Sequence, residues 1–194
     1  MIEPPRLVLA SASPRRLELL RRIGVEPNEV RPADIDESEI PGETPRQLAE
    51  RLARSKASAI SAKNAIVLGS DTVVAVGRRI LPKTEDEKSA RACLELLSGR
   101  GHRVWTGVAL LAPDGRMSSR LVETRVSFKR LSSDEIDAYI ASGEWQGKAG
   151  GYGIQGMAEA FVMRLAGSYS GVMGLPLYET ANMLRGFGYP VLSS

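Results

Sequence analysis

The chain has 194 residues, of which 43% are hydrophobic and 25% are charged, a composition typical of one globular domain with a substantial core. Its net charge of +3 comes from dispersed Lys and Arg without interleaved aromatic residues, so nucleic acid is not the expected partner. One histidine and one cysteine exclude a His/Cys zinc site and an intrachain disulfide framework, so carboxylates, lysines and arginines must carry any chemistry.

The sequence also predicts where in the cell the protein is found. No apolar run approaches the roughly 18 residues that a membrane-spanning helix needs. Glu3 and Pro4 interrupt the stretch in which a signal peptide would begin. The single cysteine, Cys93, fits a reducing compartment. We therefore expect a cytoplasmic protein without a membrane partner.

The first informative stretch is a strand that turns into a helix. Residues 7–10 form a short apolar run that predicts a buried strand. Pro14 lies at the first position of the following helix, with Ser13 as its N-cap. Such a helix N-terminus suits an anion, above all a phosphate, and Arg15 and Arg16 in its first turn are easier to understand if they face one. The alternative is a plain strand–helix unit with two solvated arginines.

A second predicted helix carries a lysine in an unusual place. Thr44 and Gln47 form a capping box that begins this helix. Lys56 lies on its apolar stripe, where a buried ammonium needs an anionic partner or a cleft, unless it reaches solvent. Glu37 belongs to the preceding acidic segment, which taken alone is a solvated loop.

Residues 65–76, AIVLGSDTVVAV, contain an aspartate between apolar runs. Because aspartate is disfavoured within strands, we predict that Asp71 lies at a strand end, a usual place for a metal ligand or general base. The alternative is a hairpin turn, since Gly-Ser-Asp is turn chemistry. A better turn lies just beyond, at Gly77 and Arg78.

The middle of the chain predicts a helix and a long hairpin. Thr84 and Glu87 form another candidate capping box. Residues 103–111 and 117–128 predict two antiparallel strands. His102 precedes the first of them and is interpreted as structural.

Two glycine-rich stretches follow. Residues 147–156, GKAGGYGIQG, hold five glycines, which indicates a flexible loop or a backbone that approaches a ligand closely. Within it, Lys148 is suited to phosphate, and Gln155 can donate to and accept from a planar base edge. Residues 167–176 form a second small-residue turn into a helix and predict another anion-binding helix terminus.

Strands that alternate with capped helices predict an α/β fold, and the long hairpin makes its sheet mixed. The pattern GxxxxGK[ST] does not occur, so the fingerprint of the P-loop fold is absent from the sequence.

Several motifs in this order resemble the Maf family of nucleoside triphosphate pyrophosphatases, and together they span nearly the whole chain. They are LASASPRR at 9–16, RLA at 51–53, KA at 56–57, GSDT at 69–72, LSGR at 97–100, TGV at 106–108, KAGGYGIQG at 148–156, GSY at 167–169 and GLPL at 174–177.

The resemblance implies a single domain over residues 1–194 with two lobes. Its fold would be a twisted mixed sheet flanked by helices, similar to that of inosine triphosphate pyrophosphatases, with the active site in the cleft between the lobes. The implied reaction is the metal-dependent hydrolysis of a nucleoside triphosphate to the monophosphate and pyrophosphate, with Mg²⁺ or Mn²⁺. Clearance of non-standard nucleotides is compatible with it, and a homodimer is also implied.

Arg15, Thr72 and Gln155 match the positions that separate subgroups of the family. Their combination resembles the subgroup that acts on dTTP and UTP rather than on 7-methyl-GTP. Two positions depart from the family pattern: Gly147 replaces a usually acidic residue, and Thr84 replaces a usual proline.

Ten residues are predicted to form the site. Those expected to act in catalysis are Asp71, Glu37, Lys56 and Lys83. Those expected to bind the substrate are Ser11, Arg15, Arg16, Thr72, Lys148 and Gln155. Asp71 and Glu37 are the expected metal ligands, with Asp71 as general base. The alternatives are a Maf pyrophosphatase of broad or modified-nucleotide preference and a nucleotide-binding regulator of cell division.

Overall fold

The structure, a computed structural model, describes residues 5–192, so Glu3 and Pro4 lie outside the described residues. The strands are β1 (Arg6–Ala10), β2 (Glu29–Val30), β3 (Ala65–Val76), β4 (Arg79–Leu81), β5 (Gly101–Leu111), β6 (Met117–Phe128) and β7 (Val162–Ala166). The helices are α1 (Pro14–Arg22), α2 (Pro45–Ala59), α3 (Glu87–Leu97), α4 (Ser133–Ser142), α5 (Tyr169–Met173) and α6 (Leu177–Gly186), with a 3-10 helix at Met157–Phe161. Within the described part of the chain, no helix is both long and apolar enough to cross a membrane.

All seven strands join one mixed sheet in the order β2-β1-β3-β5-β6-β7, with β4 paired to the far end of β3. Strand β1 runs parallel to both β2 and β3, whereas β3, β5, β6 and β7 pair antiparallel. The predicted α/β class with a mixed sheet flanked by helices is therefore confirmed.

Helix α2 packs very closely on one face of the sheet. Its sheet-facing side carries alanines, and β3 and β5 present glycines to it. A Cβ atom at Gly69 would lie 2.4 Å from the carbonyl oxygen of Ala53, and one at Gly107 would lie 2.4 Å from that of Ala49. This approach brings Lys56 of α2 against Asp71 of β3. The larger apolar core fills the opposite face, under α1, α3 and α6.

Most of the predicted element boundaries are confirmed. Thr44 makes the predicted capping box at the start of α2, and Ser132 makes a further one at the start of α4. Ser13 is the N-cap of α1 by position, but its side chain makes no capping hydrogen bond. Instead, its backbone N–H donates to Ser11 Oγ at 3.1 Å.

The prediction that Asp71 lies at a strand end is wrong. Strand β3 continues through it for 12 residues, and Asp71 pairs with Gly107 of β5. The turn chemistry of Gly-Ser-Asp is overridden because the neighbouring strand and α2 satisfy its polar groups. Ser70 Oγ lies 2.8 Å from the Gly107 carbonyl oxygen and 2.9 Å from that of Gly174. The turn indeed comes later, between β3 and β4 at Gly77 and Arg78.

The predicted capping box of Thr84 and Glu87 is also wrong. Asp86 is the N-cap of α3, and its carboxylate accepts from the backbone N–H of Ser89 at 2.7 Å. Thr84 is fully buried, and its hydroxyl donates to the carbonyl oxygen of Trp145 at 2.7 Å. Its hydroxyl therefore serves a contact distant in sequence rather than the nearby helix.

Candidate active site

One cavity of about 470 Å³ opens where β1, β3 and the glycine-rich loop meet. All ten of the predicted site residues line it: Ser11, Arg15, Arg16, Glu37, Lys56, Asp71, Thr72, Lys83, Lys148 and Gln155. They come from separate stretches of the chain, so the fold brings together residues that are far apart in sequence. Their roles stay predictions.

The floor of the cavity is a chain of alternating charges. Lys56 is only 6% exposed, and its Nζ lies 2.5 Å from Asp71 Oδ1 and 2.7 Å from Glu37 Oε1. Lys83 forms a salt bridge with the other oxygen of Glu37. Burial of Glu37 opposes its ionisation, but the hydrogen bonds from Lys56 and Lys83 outweigh it and lower the pKa of Glu37 to about 2. The prediction of an anionic partner for Lys56 is therefore confirmed.

Arg51 braces the irregular segment that carries Glu37. Its guanidinium binds both carboxylate oxygens of Glu43, at 2.7 and 2.8 Å, and donates to the carbonyl oxygen of Ser38 at 2.8 Å. Bidentate Arg–carboxylate pairs have a defined geometry, so this contact fixes the segment on α2 next to Glu37. The sequence patterns alone assign no such role to Arg51.

The first turn of α1 forms a second side of the cavity. Arg16 donates from Nη1 to Ser11 Oγ at 3.0 Å and from Nε to the carbonyl oxygen of Gly174 at 2.9 Å. Arg16 thus joins the N-terminus of α1 to the end of α5 while it remains part of the cavity wall. The Gly174 carbonyl contact has no signal in the sequence, because its partners lie more than 100 residues away.

Three cations in the cavity have no carboxylate partner among residues 5–192. Arg15, Arg16 and Lys148 form no salt bridge anywhere in the described residues. Burial lowers the pKa of Arg15 and that of Lys148, and in each case a neighbouring arginine lowers it further. The residues that line the cavity include five cations and two carboxylates. The excess positive charge suits a polyanionic ligand.

The predicted base-reading residues lie on the same cavity. Thr72 Oγ1 lies 3.2 Å from Thr106 Oγ1, within hydrogen-bond distance, whereas Gln155 is exposed at the rim. Tyr152, to which the sequence patterns assign no role, is buried beside them. The available signal in the sequence was its place within the motif KAGGYGIQG at 148–156.

The second predicted anion-binding terminus is not supported. The helix that this turn leads into is α6, with Pro176 at its start. The backbone N–H of Leu177 donates to Ser170 Oγ at 3.0 Å, and α6 does not line the cavity. The short helix α5 lies within the turn, and Ser168 caps it by accepting from the backbone N–H of Gly171 at 2.9 Å. The C-terminal end of α5, at Val172 and Met173, lines the cavity instead. The C-terminal end of α5 therefore presents carbonyl oxygens to the cavity rather than N–H groups. Arg16 donates a hydrogen bond to one of them, the carbonyl oxygen of Gly174.

The acidic groups fit a divalent ion that shares its coordination with a ligand. No cluster of three or more Asp, Glu, His or Cys residues that could hold a metal occurs in residues 5–192. Glu37 and Asp71 nevertheless lie close together, because the single ammonium of Lys56 contacts both. Mg²⁺ is commonly bound by one or two carboxylates, with phosphate oxygens and water completing its coordination.

His102 lies behind the cavity, in contact with Tyr152. Its Nε2 is 2.7 Å from the Tyr152 hydroxyl, and its Nδ1 has no hydrogen-bond partner among the described residues. His102 is 3% exposed and packs edge-to-face on Phe128, and burial lowers its pKa to about 4 from 6.5. It therefore stays neutral in the folded protein near neutral pH, as its structural interpretation requires.

This burial predicts a loss of stability in mild acid. Between pH 6.5 and about 4 the unfolded chain binds a proton at His102 that the folded chain does not, so the free energy of unfolding falls as the pH falls. At pH 5 we expect a loss of about 2 kcal/mol from this group. Urea unfolding at pH 7.5 and pH 5 measures it. His102→Gln should lack this component, and an unchanged pH dependence in that variant would contradict the assignment.

An α/β fold whose cavity combines excess positive charge, two carboxylates and a helix N-terminus is typical of a protein that binds a polyphosphate. A family model described as Maf-like protein matches residues 6–187, and the chain belongs to this family. A dTTP/UTP pyrophosphatase of Maricaulis maris is 65% identical over 96% of this chain and 90% of its own length. One of Caulobacter vibrioides is 62% identical over 97% of this chain and 99% of its own. The predicted family is confirmed.

Two solved structures are similar to this chain at much lower sequence identity. A HAM1 protein from Coxiella burnetii is 18% identical, with a TM-score of 0.49 over 94% of this chain and 99% of that one. A nucleoside-triphosphatase / dITP/XTP pyrophosphatase from Mycobacterium abscessus is 18% identical, with a TM-score of 0.42 over 66% of this chain and 75% of that one.

Proposed function

We propose that the protein is a nucleoside triphosphate pyrophosphatase that hydrolyses dTTP and UTP to the nucleoside monophosphate and pyrophosphate. Relatives at 65% and 62% identity are named for this activity, and they match over nearly the whole chain. The observation that carries the proposal is the cavity itself, whose lining includes five cations and two carboxylates. That charge pattern fits a triphosphate better than a neutral or singly charged ligand.

The chain's own residues would divide the chemistry between binding and proton transfer. Arg15, Arg16 and Lys148 would bind phosphoryl oxygens, whose charge increases in the transition state. Asp71 would take a proton from the water that breaks the α–β anhydride bond. Lys56 holds the Asp71 carboxylate in place and would orient it toward that water.

A divalent cation completes the proposed site. Glu37 and Asp71 would hold Mg²⁺ or Mn²⁺, which supplies charge neutralisation at the phosphoryl oxygens. In the structure Lys56 and Lys83 neutralise both carboxylates. On substrate binding these two ammonium groups would turn from Glu37 toward the phosphates.

The test is a panel of dTTP, UTP, CTP, GTP, dATP and 7-methyl-GTP with Mg²⁺ and then Mn²⁺, scored by pyrophosphate release. We expect dTTP and UTP to be hydrolysed best. Equal rates across the panel would indicate a pyrophosphatase of broad preference. Binding without release would indicate a nucleotide-binding regulator instead.

A substitution at Gln155 tests how the base of the nucleotide is selected. Its amide can pair with the polar edge of a pyrimidine, so Gln155→Leu should reduce the preference for dTTP and UTP over the purine nucleotides by about tenfold. The ratio of kcat/KM values between UTP and GTP measures this preference. An unchanged ratio would contradict the assignment of Gln155.

The proposal includes the finer features that the sequence predicts. These are one domain of two lobes with the active site between them, a cytoplasmic location and a homodimer. Gel filtration with light scattering tests the last of these directly.

A further inference from the structure

Lys83 and Lys148 are far apart in sequence, yet one hydrogen-bonded ladder joins their backbones. Lys83 forms an antiparallel bridge with Ala149. Thr84 donates its N–H to the Lys148 carbonyl oxygen at 3.1 Å, and its own carbonyl oxygen accepts from the N–H of Gly147 at 2.9 Å. Two lysines that face the cavity are therefore carried by a single unit of structure.

The side chain of Thr84 is the centre of this unit. Thr84 is fully buried, and its hydroxyl lies 2.7 Å from the Trp145 carbonyl oxygen and 3.3 Å from that of Lys148. Its Cγ2 methyl would lie 3.2 Å from a Cβ atom at Gly151, so it also packs against the glycine-rich loop. Thr84 thus contacts the turn before Lys148 and the loop after it.

The turn that carries Lys148 depends on such outside contacts. Gly147 and Gly150 both have positive φ, at +63° and +69°, in a stretch with little conformational preference of its own. The Lys148 ammonium has no carboxylate partner among the described residues, and it donates to the Gln146 carbonyl oxygen at 3.1 Å. The turn therefore sets the backbone position of Lys148, and a carbonyl oxygen of the same turn binds its ammonium.

We infer that Thr84 is a positioning residue that fixes Lys148 against the polyphosphate chain and so sets substrate affinity. The inference rests on the proposed function for the identity of the substrate. Thr84 touches neither the carboxylates nor their lysine partner Lys56 through its side chain, so its loss should weaken binding more than it slows the chemical step.

Thr84→Val removes the hydroxyl and keeps the shape of the side chain. We expect KM for UTP to rise about fivefold with kcat within about twofold, the effect of one lost buried hydrogen bond. Thr84→Ser keeps the hydroxyl and should restore KM. If Thr84→Val does not fold, Thr84→Cys replaces it, because a thiol is a weak donor.

Thr180→Val is the matched control. Thr180 is also fully buried, but its hydroxyl has no hydrogen-bond partner among the described residues, and it lies outside the cavity. Its removal should leave KM unchanged, which separates the loss of a particular hydrogen bond from the loss of any buried hydroxyl.

A double-mutant cycle with Lys148→Ala decides the mechanism. If Thr84 acts through Lys148, Thr84→Val should not raise KM further in the Lys148→Ala background. An undiminished fivefold rise in that background, or a fall in kcat alone, would overturn the inference.

Calorimetry with inorganic triphosphate gives the same cycle without turnover. Absence of pyrophosphate release from every nucleotide would defeat the proposed function, while the coupling of Thr84 to Lys148 would still be read from the affinity for inorganic triphosphate. Additive losses of that affinity would instead defeat the inference and leave the proposed function standing.

Discussion

Replacing Asp71 by Asn is expected to reduce pyrophosphate release from UTP by about 10²- to 10⁴-fold, the usual contribution of a positioned general base. Asn has nearly the same shape but cannot take a proton from water at neutral pH. Asp71 is 3% exposed and receives a hydrogen bond from Lys56, so the substitution also removes a negative charge beside a buried ammonium. Initial rates with saturating Mg²⁺ measure the effect.

Two controls isolate the chemistry of Asp71. Asp114→Asn makes the same change in the exposed loop between β5 and β6, where the side chain accepts a hydrogen bond from the N–H of Arg116, and activity should be unchanged. Calorimetry with inorganic triphosphate shows whether Asp71→Asn still binds a polyphosphate. An Asp71→Asn variant that folds, binds and retains near-normal turnover would refute the proposed role.

The electrostatic arrangement explains why this aspartate should be so sensitive. Glu37 and Asp71 share Lys56, and Glu37 also binds Lys83. The four groups together carry no net charge, so each carboxylate has a cationic partner and the buried Lys56 ammonium has two anionic ones. The three cations that lack a carboxylate partner among the described residues then lie around a neutral centre, ready for an anionic substrate. A change of one charge in this centre alters the interactions of every other member.

Local features of the fold could be predicted from the sequence. Capping boxes such as that of Thr44 involve residues three positions apart, so their spacing carries the information directly. The hairpin of β5 and β6 was equally predictable, because its loop and alternating pattern are both local. All ten of the predicted site residues line one cavity, and all but Glu37 and Lys83 lie within the motifs.

The errors came where a distant partner decides the local structure. Asp71 remains within β3 because Lys56 neutralises it and Gly107 pairs with it, and neither partner is near in sequence. Thr84 does not cap a helix because Trp145 provides a better-buried acceptor. Local propensity favoured a break at Asp71 and a cap at Thr84, and tertiary hydrogen bonds overrode both. The role of Arg51 could not be predicted for the same reason, because the fold alone brings its guanidinium to Glu43 and Ser38.

The close packing of α2 on the sheet predicts the largest effect on stability. Gly107→Ala should lower the free energy of unfolding by about 3 kcal/mol, because the new methyl group cannot be accommodated without moving a backbone. Its Cβ would lie 2.4 Å from the carbonyl oxygen of Ala49 and 3.0 Å from the Cβ of Ala53. For a chain of this size the melting temperature should fall by about 6–12 °C.

Gly186→Ala is the matched control for this substitution. Gly186 ends α6, has no neighbouring atom within 4 Å of the position that a methyl group would take and does not have positive φ, so alanine should be neutral or slightly stabilising there. A melting temperature for Gly107→Ala equal to that of Gly186→Ala would contradict the close approach of α2. The same displacement of α2 would move Lys56 away from Asp71, so activity below the new melting temperature should fall as well.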